Sequence, residues 1–226
     1  MKYVSLVCFL FGMLAEVAAQ EASSTDTKYL EDQFYMGITY NFLLDRPDGV
    51  SQRNLSYGLQ AGFIKDIPIN LDRTVALGLG FGYGVSSYYS NLRAIESDNG
   101  VVYDILDGDD NFRRSKLETH LLEIPLELRW RNSTATNYKF WRIYTGIRLG
   151  YVIGGRSKFV SDTDRFSFNN RDIRTFQYGL TFSFGYNTFN IHLYYALNNL
   201  LEDGVTVGNS PIAMHPLRIG LIFYIL

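Results

Sequence analysis

Three histidines, His120, His192 and His215, are the side chains best suited to move a proton near neutral pH. They fall in three separate stretches, and their spacing matches no metal-ligand pattern. His120 with Ser87 is the nearest approach to a base and a nucleophile, a pair that could cleave a lipid ester. No third group that would orient the histidine is evident. Asp107-Gly108-Asp109-Asp110-Asn111 is acidic enough to attract a divalent cation or bridge to anionic sugars through one. It lacks the sixth-position glycine of a calcium loop and reads as a solvated loop tip. Cys8, the single cysteine, lies in an apolar leader, which leaves no thiol chemistry downstream. No catalytic residue, cofactor or metal site is assigned, and a non-enzymatic protein is expected.

A different set of charges stands out by its periodicity. Glu123, Glu127 and Arg129 alternate with Leu122, Ile124, Leu126, Leu128 and Trp130; Arg142 and Arg148 alternate with Trp141, Ile143, Ile147 and Leu149. Arg218 sits between Leu217 and Ile219. A period of two places all the charges on one face of a strand and all the apolar residues on the other.

That alternation recurs eight times. Its apolar faces run over 34–42, 55–63, 75–85, 122–130, 141–151, 176–186, 189–197 and 217–225, and they contain no charged residue. The opposite faces carry mainly Gly, Ser, Thr, Asn and Gln, with Glu and Arg. A soluble sandwich would set Lys and Glu on its wet face. Small, mostly uncharged residues suit the crowded inside of a narrow barrel. Each run has the length that a tilted strand needs to cross hydrocarbon. Aromatic residues gather at the run ends, Trp130, Trp141, Tyr186 and Phe189 at one and Tyr83, Tyr151 and Phe176 at the other, as membrane interfaces favour. The fold expected is all-β: an eight-stranded antiparallel transmembrane up-and-down barrel.

Bulk properties agree. Lys+Arg total 21 against 23 Asp+Glu, which gives no electrostatic reason to expect nucleic acid. Mean hydropathy is near zero because polar lumen residues cancel lipid-facing ones. Lys2, the apolar Val4–Leu14 stretch and Val17-Ala18-Ala19 form a signal peptide over 1–19, cleaved before Gln20. The stretch is too short for a helical anchor. Residues 20–31 form a short polar lead-in, and 32–226 the barrel. The links alternate in length: 66–73, 131–138 and 187–188 are short, 87–117, 154–173 and 199–214 long, and 45–53 intermediate. Short turns in the periplasm and long loops outside place both termini on the periplasmic side of a bacterial outer membrane, with its lipid as surroundings.

A lumen too narrow for bulk water must pair its charges. Glu123, Glu127, Arg129, Arg142, Arg148 and Arg218 are therefore expected to form an inward network. If the fourth and fifth runs form a hairpin, Arg129 faces Arg142 and Glu123 faces Arg148. Gly78, Gly80, Gly82 and Gly84 leave one inner wall bare, which makes room for long side chains opposite or a groove for a guest segment. Pro125, mid-strand, suggests a bulge.

Leu122-Glu123-Ile124-Pro125-Leu126-Glu127-Leu128-Arg129-Trp130 resembles the LEIPL strand of PorT-like porin-family barrels of the Bacteroidota. So do Lys139–Tyr144 with Gly146, Gly150 and Tyr151, the Gly78–Gly84 strand and Pro216–Tyr224. The resemblance spans most of the mature chain. It implies an outer-membrane barrel without catalytic residues, a role in type IX secretion and gliding motility, and partners among other envelope proteins of that machinery. A general envelope-stabilising or surface-binding barrel and a narrow porin are the competing expectations.

Overall fold

The computed structural model describes residues 32–107, 111–132, 140–187 and 189–225. The expected signal peptide and the whole of the lead-in lie outside the described residues. The strands in chain order are β1 (Gln33–Leu44), β2 (Tyr57–Pro68), β3 (Val75–Tyr89), β4 (Leu92–Ser97), β5 (Gly100–Ile105), β6 (Phe112–Arg131), β7 (Trp141–Ser161), β8 (Arg165–Asn169), β9 (Phe176–Tyr186), β10 (Phe189–Ala196), β11 (Thr206–Val207), β12 (Ser210–Pro211) and β13 (His215–Ile225). Eight of them pair in the cyclic order β6-β3-β2-β1-β13-β10-β9-β7, and β6–β7 closes the ring. Every pairing is antiparallel. All eight alternating runs are barrel strands.

Closure follows from the two faces. Phe34, Met36, Ile38, Leu59, Leu77, Leu79, Phe81, Ile124, Leu126, Ile147, Leu180, Ile191 and Leu221 point outward and stay exposed. In water a continuous ring of this kind would drive association; in lipid it is the matching surface. The inward residues between them are buried. A closed ring also leaves no unpaired edge in the hydrocarbon, where an unsatisfied backbone group would be costly.

The short links, the start of β1 and the end of β13 share one end of the barrel: Phe34 pairs with Ile225, Val75 with Trp130, and Phe189 with Tyr186. Asn187 turns the tightest link at φ 56°, a conformation asparagine tolerates well. The strand ends differ from the sequence expectation. β2 runs on to Pro68 rather than stopping near 63, and β7 continues through Ser161 where a loop was expected.

β6 and β7, at 20 and 21 residues, are about twice the span of the hydrocarbon. They project as a ribbon roughly 30 Å beyond it and carry β8 along the edge of β7. The hairpin β4–β5 and the loops 45–56, 170–175 and 197–214 gather at this end. There they enclose an apolar core of Leu43, Tyr88, Leu92, Tyr103, Leu117, Leu200, Leu201 and Met214, with Val50, Ile173, Val207 and Ile212.

The expected bulge at Pro125 is not there. The β3 ladder is interrupted opposite Ile124 and Pro125 but resumes in the same register, Leu79–Leu126 on one side and Gly82–Glu123 on the other. Losing one donor does not require an extra residue when both flanks are paired. Register shifts occur instead on the β7 side, between His120 and Leu121, where the ribbon leaves the barrel, and between Phe112 and Arg114 near its tip.

Candidate functional site in the barrel lumen

The inward faces of β1, β2, β3, β6, β7, β10 and β13 converge on two charge centres. In the middle of the barrel, Glu123 accepts from Arg148 and Arg218 at 3.2 Å each, one guanidinium per carboxylate oxygen. Arg148 also donates to Gln60 Oε1. Arg218 lies 4.2 Å over the Tyr194 ring. Nearer the short-link end, Asp66 accepts from both Arg129 and Arg131, one to each carboxylate oxygen. Arg129 reaches Gln33 Oε1 at 2.5 Å, has Glu127 at 3.6 Å, and stacks 4.0 Å over Tyr144. All of these charged groups are at least 95% buried.

Five arginines, Arg129, Arg131, Arg142, Arg148 and Arg218, thus share the lumen with three carboxylates, Asp66, Glu123 and Glu127. The cationic surplus is met by ring faces, which attract guanidinium planes. Arg142 carries that logic furthest: it stacks 4.4 Å over Phe140 and has no carboxylate within ion-pairing distance among the described residues.

The hairpin register differs from expectation by two residues. Arg131, not Arg129, lies opposite Arg142, and Pro125, not Glu123, lies opposite Arg148. Glu123 meets Arg148 on the diagonal, because an arginine is long enough to cross one residue pair. The shift arises because β6 continues to Arg131, one residue past the expected turn.

The glycine wall is occupied from the other side. A Cβ at Gly78 would stand 2.7 Å from Arg129 Cδ, one at Gly80 2.7 Å from Ile64 Cγ1, and one at Gly84 3.1 Å from the Glu123 carboxylate. At Gly82 it would meet the Tyr35 hydroxyl and, at 2.9 Å, the Ala61 carbonyl. The four glycines let Arg129, Tyr35 and Glu123 lie flat against the β3 backbone. No room remains there for a guest segment.

The matching family model is the outer membrane protein beta-barrel domain, which covers residues 18–202. The chain belongs to that family. No curated protein matches it. Among solved structures it is similar to Ail, the attachment invasion locus protein of Yersinia pestis, at 14% identity and TM-score 0.29, covering 87% of this chain and all of that one. It is also similar to a triple-mutant Rhodopseudomonas blastica porin at 8% identity and TM-score 0.21, with the same coverage.

In this outer-membrane barrel the three histidines lie apart, and the His120–Ser87 pair considered from the sequence does not form. His192 lies in the lumen with Nδ1 2.8 Å from Ser183 Oγ. His215 bonds Asp45 at 3.0 Å. His120 faces outward and pairs with the Tyr83 hydroxyl at 2.5 Å. Ser87 donates not to His120 but to Glu118, at 3.0 Å. Burial pushes the Glu118 carboxyl up, but the Lys116 ammonium and the Ser87 hydroxyl outweigh it and hold the group below the usual range. No cluster of three metal-ligating side chains occurs among the described residues.

Sequence reasoning missed Asp66, Arg131, Gln33 and the whole cap. Asp66 was available: Gly58, Gln60, Gly62, Ile64 and Asp66 continue one period-two face. The outward Lys65 ended the apolar run two residues early, although a lysine at the membrane rim reaches back to water.

Proposed function

We propose that this outer-membrane barrel is a closed scaffold that supports protein secretion of the type IX kind, and gliding motility where that exists, as a PorT-like component working with other envelope proteins. The observation that carries the closed-scaffold reading is the lumen itself. Buried arginine–carboxylate clusters fill it at two levels, and an apolar core of loop residues roofs one end. Such a barrel offers no path for a polypeptide, so its contribution is made through surfaces: the short links at one end and the projecting ribbon and cap at the other. The secretion assignment is supported by the PorT-like segments. On this reading the short-link end, with both termini, faces the periplasm and the cap faces outward.

The test is a clean deletion of the gene, followed by comparison of the secreted proteome and colony spreading with the parent. Secreted proteins held in the periplasm and loss of spreading, both restored by a plasmid copy, support the reading. Normal secretion with a leaky or detergent-sensitive envelope replaces it with a general envelope-stabilising role. The narrow-porin alternative is disfavoured by the filled lumen.

A further inference from the structure

The outer face of the projecting ribbon is mainly cationic, with Glu118 its one acid on β6. On β6 it presents Arg114, Lys116, Glu118 and His120; on β7, Arg156, Lys158 and Val160; on β8, Arg165, Ser167 and Asn169. Lys116 stands directly opposite Lys158, and Arg114 and Arg165 flank Val160 from either side. Glu118 and the Tyr89 ring take up the Lys116 charge, which leaves Arg156, Lys158 and Arg165 as the cations of this face with no such partner. The opposite face of the same strands, Ser157, Phe159, Phe166 and Phe168, turns toward the cap.

Neighbouring acids do not neutralise this face. Glu118 is held by Lys116 and Ser87. Asp162, at the β7–β8 turn, is held by Arg113 at 2.7 Å. Arg114, Arg156, Lys158 and Arg165 have no carboxylate within ion-pairing distance among the described residues, and Arg114, Arg156 and Arg165 are exposed.

Height above the membrane decides what these charges meet. The last exposed apolar side chains below them are Tyr151 and Ile153. Arg156 lies three residues farther along β7, about 10 Å along the strand and about 7 Å along the membrane normal at the usual tilt. A headgroup layer is roughly 5–7 Å deep, so the Arg156 guanidinium stands at headgroup level. Lys158 and Arg165 lie just beyond, on stems long enough to reach back. Guanidinium groups suit phosphate oxygens, which they engage in pairs.

We propose that the outer wall of the β6–β7–β8 ribbon binds the phosphate groups of a phosphorylated glycolipid of the outer leaflet, with Arg156, Lys158 and Arg165 as principal contacts and Arg114 at the margin. The proposal rests on the orientation given above, with the ribbon outward, and not on a role in secretion.

The test uses the full folded barrel in non-ionic detergent with diphosphoryl lipid A as probe and its dephosphorylated form as comparison, bound lipid being counted by native mass spectrometry. The diphosphoryl form binds more tightly. The Arg156→Gln/Lys158→Gln/Arg165→Gln variant weakens it by about ten- to a hundredfold, as loss of three surface cations implies, while Lys65→Gln at the opposite rim leaves it unchanged. Heat-dependent gel mobility verifies that each variant is folded. Equal binding of the dephosphorylated lipid, or no effect of the folded triple variant, overturns the proposal. Displacement by an equal concentration of inorganic phosphate also overturns it, since that marks a general anion site. A normal secretion phenotype in the deletion strain would leave this result intact, so the two readings fail separately.

Discussion

Glu123 is the side chain on which the central charge cluster depends. It is the only carboxylate within ion-pairing distance of Arg148 or Arg218 among the described residues. Removing one partner of a buried cluster strands the others, at about 3–5 kcal/mol. Glu123→Ala is expected to lose stability of that order in urea titrations of the refolded barrel. Glu123→Leu combined with Arg148→Met and Arg218→Met is expected to recover most of it, because an apolar replacement strands no charge. Gly82→Ala has a different cause, overpacking, worth about 1–3 kcal/mol. Adding Tyr35→Phe should return part of the loss by removing the hydroxyl, but not all, since the Ala61 carbonyl still stands 2.9 Å from the new Cβ. Outside the membrane, Lys116→Met leaves burial of Glu118 less opposed, so its carboxyl titrates at higher pH than in the parent. Carbon-detected NMR of the side chain measures that shift. Of these residues, Glu123, Arg148 and Arg218 were legible as inward charges because strand parity is a property of sequence. That the three belong to one network was legible too; the ladder register that brings them together was not. A one-residue change in where a turn begins shifts the register of the whole hairpin by two, and nothing in the sequence of residues 131–140 specifies that start.

The barrel strands were readable for a physical reason: lipid on one side and a crowded lumen on the other force strict alternation. Above the membrane the force is gone. Residues 154–173 alternate too, but with Arg156 and Lys158 outward and Ser157 and Phe159 inward, a pattern that resembles a solvated loop when read for hydropathy alone. The cap was harder still, since its apolar residues come from five separate stretches and no period links them. What joins them is hydrogen bonding from a few polar side chains. Asn91 donates to the Gly49 and Leu106 carbonyls and accepts from the Ser51 amide. Asn170 donates to the Tyr103 hydroxyl and Ser157 at 2.8 Å each. Replacing residues 92–105 by a short Gly-Ser link is expected to leave the eight-stranded ring intact, because β4 and β5 pair only with each other. Heat-dependent gel mobility would be retained. The loops 45–56 and 197–214 would become protease-sensitive and lose amide-exchange protection, having lost Leu92, Ala94 and Tyr103 from their shared core.

At the scale of the molecule, lumen and cap close the barrel twice and independently. The two charge centres lie inside the strand ring, whereas the cap rests on the projecting ribbon and loops. Neither cluster's ion pairs include a cap residue, and lumen and cap meet where Tyr88, at the base of the cap core, faces Arg218. Removing the cap alone should therefore not open a path. In planar bilayers the parent and the 92–105 replacement are both expected to show no steady openings. Thinning the plug alone should also leave current blocked, by the apolar roof. Only the combination of the hairpin replacement with removal of both charge centres, Glu123, Arg148 and Arg218 together with Asp66, Glu127, Arg129 and Arg131 all to Ala, is expected to conduct ions. Steady openings in the parent would mean that the arginine–carboxylate clusters rearrange at low cost, and the closed-scaffold reading would then give way to a narrow pore. Conduction by the hairpin replacement alone would locate the seal in the cap and leave the lumen network with a purely internal, stabilising part.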